Sequence, residues 1–311
     1  MILAQTPSQW RVLLDQPLAG RIGPAPQAVV DYINLVTGKV DGHQCSSATA
    51  TAGFRADVVR AIGELPLPVR VRLDGKLLGV YFARSLGSSA VSDVVVDTRG
   101  EVIGGFVAID LDVLDACCAN QWATWRENTP FGEGTFSVGL TIEASGDDTR
   151  CNAIQYLLLH EFGHVLTPGE MFLPDWWRGN AAFRSTDEYR FLAASWQISM
   201  AREIIPLLRD DFPLRTQIGY YGDASCSNDI IPVVYCALEK TRFVTLYAAT
   251  NAYEDFAESF ATFVHVVLMK KPFDIAVIEG GAAPVRLENY WSTERARRKR
   301  EILSSWLLSS L

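Results

Sequence analysis

His160-Glu161-Phe162-Gly163-His164 packs more potential chemistry into five positions than any other segment of this 311-residue chain. Two imidazoles four residues apart share one face of a helix, so both can reach one ion at about 2.0–2.1 Å, the distance zinc keeps to nitrogen. Glu161 then points beside them toward a metal-activated water, the position of a general base. The chain has only four histidines, which weighs against an accidental pair at this spacing.

A zinc ion that does chemistry takes a third protein ligand and keeps its fourth position open. In one group of HExxH enzymes the third ligand is a Glu from a later helix, with an acidic residue one turn further on. Glu254 and Glu258 have that spacing, in Tyr247-Ala-Ala-Thr-Asn251-Ala-Tyr-Glu254-Asp-Phe256-Ala-Glu258-Ser-Phe260. Asn251 can cap this helix and places Glu254 at its third position. An acidic pair four apart on its own reads as a solvated face. Phe256, Ala257, Phe260 and Ala261 make this helix largely apolar, however, and put both carboxylates at the edge of a core where they need partners.

These two windows together resemble the catalytic domain of anthrax lethal factor and its relatives, including the Pro-Pro endopeptidases, which are zinc metallopeptidases of the gluzincin type. The resemblance implies that His160, His164 and Glu254 are the zinc ligands and that Glu161 is the base. It further implies that Tyr247 supplies a hydroxyl to the transition state and that Glu258 orients a ligand histidine. One zinc per chain and a zincin-like α+β fold follow from the same likeness. Ninety positions separate His164 from Glu254, a longer interval than the resemblance leads one to expect, which implies an insertion over about 168–245. Nothing resembles the toxin's cell-entry domains.

The elements that must carry these residues can be read from hydrophobic period and turn residues. A helix is expected from about Thr149 to Leu166, after the acidic start at Asp147-Asp148 and before the stop at Thr167-Pro168-Gly169. A second is expected from about Ala252 to Met269. Ser185-Thr186-Asp187-Glu188 has the capping-box pattern and predicts another, and a last helix starts near Ser292 and reaches the C-terminus. From Val69 to Asp112, short runs of Val, Ile and Phe broken by Asp74-Gly75 and Arg99-Gly100 suggest antiparallel strands and hairpins. Phe136 to Ile142 is a further strand candidate. The chain therefore divides into an N-terminal, partly β region (1–145) and a helical region (146–311) carrying the zinc site, with the active cleft expected where they meet.

Several weaker features admit two readings. Val102 to Ile109, with Gly104 and Gly105, is either a sheet edge that binds extended substrate or a strand whose glycines mark a bulge or a tight packing point. Trp176-Trp177 either walls a substrate cleft or belongs to an aromatic core. His43 and Cys45 read as a structural pair, and His265 as a packing residue. Arg295 to Arg300 reads as a solvated, salt-bridged basic face.

Hydrophobic residues make up 49% of the chain, ample for a core without covalent staples. A net charge of −8 disfavours nucleic acid and anionic membrane as partners. No apolar run is long enough to span a bilayer, and Met1 to Trp10 lacks signal-peptide character. Cytoplasm is the default compartment, although a trimmed exported form would read identically. The six cysteines are too sparse for a disulfide scaffold and are expected to be mostly buried thiols, with Cys226 and Cys236 able to pair in an oxidising compartment. The sequence leaves oligomeric state and substrate open. It points to a zinc-dependent endopeptidase acting on a peptide or protein; the alternative is a zinc-containing binding or scaffold protein without turnover.

Overall fold

The computed structural model describes residues 1–38, 42–220 and 222–308 and shows a mixed α+β chain, 46% helical and 18% strand. Contacts group it into two compact units. The first comprises Met1–Cys118 with Thr149–Glu170, the second Ala119–Asp148 with Met171–Leu311.

The first unit is built on a six-stranded sheet. Its strands are β1 (Ile2–Leu3), β2 (Ile22–Pro24), β3 (Ser46–Ser47), β4 (Leu77–Arg84), β5 (Ala90–Val96) and β6 (Val102–Asp110), in the order β1-β5-β6-β4-β2 with β3 antiparallel to β4. β5 and β6 form the expected antiparallel hairpin, turning through Gly100 at φ 80°. β4, by contrast, runs parallel to β6, and the segment expected to open the strand region is a helix, Leu67–Lys76. Pro68 pre-sets the first turn of that helix, and its buried residues Val69 and Leu73 lie four apart while Val71 faces solvent. The alternation of Val69, Val71 and Leu73 with arginines thus imitates a strand over a stretch that folds with helical period.

The HExxH helix, Arg150–Leu166, belongs to this first unit and lies across β5 and β6. It starts at Thr149, whose hydroxyl accepts from the Asn152 N–H at 3.3 Å. Nearly every side chain on it is buried, so tertiary packing rather than amphipathicity holds it. Its C-terminal carbonyls are met by Lys76, whose Nζ donates to Leu166 O (2.9 Å), Pro168 O (3.0 Å) and Glu170 Oε1 (2.7 Å). A cation there satisfies orphan carbonyls and suits the negative end of the helix dipole.

β6 is paired on both sides, with β5 and with β4, so it is not a substrate-binding edge. Its glycines serve close packing. A Cβ at Gly105 would lie 2.9 Å from Val165 Cγ1 of the HExxH helix, and one at Gly104 would lie 2.7 Å from Lys76 O. Gly105→Ala is therefore expected to destabilise the protein by about 1–3 kcal/mol, the usual cost of overpacking. Adding Val165→Ala should return part of that loss. Chemical denaturation of the two variants measures both effects.

In the second unit, β7 (Phe136–Thr141), β10 (Asp274–Glu279) and β11 (Val285–Arg286) form an antiparallel sheet in the order β11-β10-β7, while β8 (Trp196–Ile198) and β9 (Ile204–Pro206) form a separate pair. The glutamate helix, Ala252–Thr262, continues through a π-helical turn, Phe263–Leu268. Asn251 caps it as expected, accepting from the N–H groups of Tyr253 and Glu254, both at 3.0 Å. His265 is buried, with Nε2 at 2.7 Å from Ile142 O and 3.0 Å from Pro272 O; burial pushes it down to about 4, so it stays neutral.

Two expectations for this unit change. The capping box at Ser185 forms, yet it begins only one 3₁₀ turn, Thr186–Glu188. The last helix covers Arg297–Leu308, and residues 309–311, which the expected helix would include, lie outside the described residues. Its basic run is not uniformly solvated: Lys299 is buried against Asp255 Oδ1 (2.5 Å), which also accepts Trp196 Nε1 through its other oxygen (3.0 Å). Asp255 follows Glu254 directly, so this buried pair fixes the glutamate helix against the last helix.

Cysteine use differs from expectation as well. All six are free thiols, Cys226 and Cys236 included, and only Cys45 and Cys151 are buried.

Candidate metal centre

On the HExxH helix, His160 is buried and His164 partly exposed, and their rings lie 5.1 Å apart at 77°. Glu161 is buried beside them. Its Oε2 accepts the Ser92 hydroxyl of β5 at 2.5 Å. That bond engages one carboxylate oxygen and restrains the orientation of the group. Ser92 shares a strand face with the fully buried Val94, and a polar residue on an otherwise apolar face was the signal that could have singled it out.

Among the described residues, His160, His164 and Glu254 form a group able to hold a metal ion. Each offers one ligand atom, and these atoms lie within 4.8 Å of one another. Two imidazoles and a carboxylate are a donor set that suits zinc and leaves a fourth position for solvent or substrate.

Within the second unit, Glu258 is almost fully buried and does not stand in solvent. Its Oε1 accepts Arg126 Nη2 at 2.6 Å and its Oε2 accepts Thr245 Oγ1 at 2.8 Å. Tyr247, in the turn Tyr247–Ala249, is buried too. The Arg126 guanidinium carbon lies 4.6 Å from its ring centroid, and the Tyr220 ring is also at 4.6 Å. Arg126 and Thr245 carried no signal in the sequence, because neither belongs to a recognisable motif.

Close by in sequence, Glu127 accepts the Tyr235 hydroxyl at 2.5 Å and is fully buried; desolvation raises its pKa above the ordinary carboxylate value. Trp176 contacts Trp177 and Tyr253 edge-to-face, at 4.9 and 5.5 Å, so an aromatic group adjoins the residue preceding Glu254.

No protein-family profile, characterised protein or solved structure matches this chain. No helix among the described residues is long and apolar enough to cross a membrane.

Proposed function

We propose that this chain is a zinc-dependent endopeptidase with a zincin-like fold, of the gluzincin type. The observation that carries this is the convergence of His160, His164 and Glu254 on one potential metal position, with the remaining HExxH residue, Glu161, oriented by Ser92. A site that only stabilised the fold would not need an additional buried carboxylate adjoining its ligands.

Zinc bound by these three residues would act as a Lewis acid on the peptide carbonyl and make a water nucleophilic at neutral pH. Glu161 would serve as the proton carrier, accepting a proton from the attacking water and passing it to the leaving amine. Tyr247 donates its hydroxyl to the carbonyl oxygen as negative charge develops there. Glu258, held by Arg126 and Thr245, would support the ligand set without binding the ion.

The test is a peptide-library cleavage assay with and without a chelator. Cleavage should stop on chelation and return with about one equivalent of zinc per chain. A protein that carries zinc yet cleaves nothing would be a binding or scaffold protein, and one that cleaves equally well after complete zinc removal would not be a metallopeptidase.

A further inference from the structure

Arg126 touches both residues of the second unit to which the proposed chemistry gives a supporting part. Its guanidinium donates to Glu258 at 2.6 Å, faces the Tyr247 ring at 4.6 Å and lies 5.8 Å from the Trp122 ring on its own helix. The other Glu258 oxygen accepts Thr245 Oγ1, and that hydroxyl in turn accepts the Ala248 N–H at 3.0 Å, within the turn that bears Tyr247. The Tyr247 backbone is thus tied to Glu258 through Thr245, and its ring through Arg126.

We propose that Arg126 is a positioning residue: anchored by Glu258, its guanidinium over the Tyr247 ring holds the ring plane, and with it the plane in which the phenol O–H bond is presented. The value of that orientation for turnover rests on the proposed role of Tyr247. The clamp itself does not.

The chemistry favours arginine specifically. A lysine could neutralise Glu258, but its ammonium is a compact charge that cannot lie flat on a ring while keeping a directed bond to a carboxylate. Cation–π attraction is also strongest when the contact is desolvated, as at this mostly buried arginine, whose side chain is 15% exposed. A merely structural role, charge compensation for Glu258, would be met by lysine.

The experiment places 3-fluorotyrosine at position 247 and measures its ring-flip rate by fluorine NMR exchange, in the otherwise unchanged protein and in Arg126→Lys. The flip should be about tenfold faster in Arg126→Lys, the factor expected on losing a desolvated cation–π contact. If Arg126→Lys does not fold, the pair Arg126→Gln with Glu258→Gln removes both charges together, leaves no buried ion unpaired, and should show the same acceleration. A flip rate within about twofold of the parent overturns the clamp, whether or not the protein cleaves peptides.

On a cleaved peptide, Arg126→Lys should lower kcat about tenfold and leave KM within about twofold, and this loss should vanish in a Tyr247→Phe background. A loss that persists in that background shows that Arg126 does not act through Tyr247. Absence of cleavage by the zinc-loaded parent contradicts the peptidase proposal, and the flip rate still decides the clamp.

Discussion

Glu161→Gln should cut turnover by at least about 10²-fold, the lower end for loss of general acid–base catalysis, with little change in zinc content or thermal stability. Glu161 is not among the three residues that could hold the ion, so its replacement leaves the ligand set complete. The amide is nearly isosteric with the carboxylate, and its carbonyl can still accept the Ser92 hydroxyl that Glu161 accepts at 2.5 Å. What the amide cannot do is take a proton from an attacking water. Tyr247→Phe should act differently, losing one donor to the developing oxyanion at a cost of about 10²–10³ in rate with zinc retained. Both variants must be compared with the parent at matched zinc occupancy, using a substrate found by library screening. Equal rates for Glu161→Gln and the parent would remove the proposed mechanism.

His160→Ala and His164→Ala should each lose zinc, and the double substitution should bind essentially none. Three ligands and an open position are the minimum for a catalytic zinc, and two remaining donors cannot hold it against solvent. An ion bound by these residues only in the native chain would stabilise it, so its loss should also lower Tm. The effect amounts to about 2.7 kcal/mol if free zinc stands at a hundred times its dissociation constant. Native mass spectrometry gives the stoichiometry and a thermal melt the stability, and full occupancy in the double variant would show that the ion sits elsewhere.

The parts of the fold legible in the sequence are those in which local signals agreed. The acidic start at Asp147-Asp148, an apolar run and a Pro-Gly stop located the HExxH helix to within a residue, and Asn251 did the same for the start of the glutamate helix. Leu67–Lys76 misled because its arginines fall between apolar residues, giving a strand-like alternation on a segment where two prolines favour a helical first turn. The parallel pairing of β4 with β6 is a long-range choice that no local pattern encodes. Ser185 shows the converse: Glu188 reaches back to its N–H, but the turn it opens ends at Glu188, and the buried residues that follow start a separate short helix, Leu192–Ser195.

At the candidate metal group, spacing alone made the two histidines legible, since four residues on a helix bring side chains together regardless of the rest of the fold. Glu254 was legible through its cap and its apolar helix. Arg126 was not, because it meets Glu258 only through tertiary structure, across 132 positions, and Ser92 showed only as a polar residue on an apolar strand face, which does not name a partner 69 positions away. Lys299 was misassigned for the same reason: a basic run predicts solvent on average, and one of its members is buried on Asp255.

The most direct measurement of the central claim is an anomalous difference map recorded at the zinc absorption edge, from crystals of the protein loaded with zinc. One peak per chain is predicted, with a nitrogen of His160 and a nitrogen of His164 at about 2.0–2.1 Å and a Glu254 oxygen at about 2.0–2.2 Å. A peak bonded instead to Glu258, or the absence of any peak at His160 and His164, would contradict it.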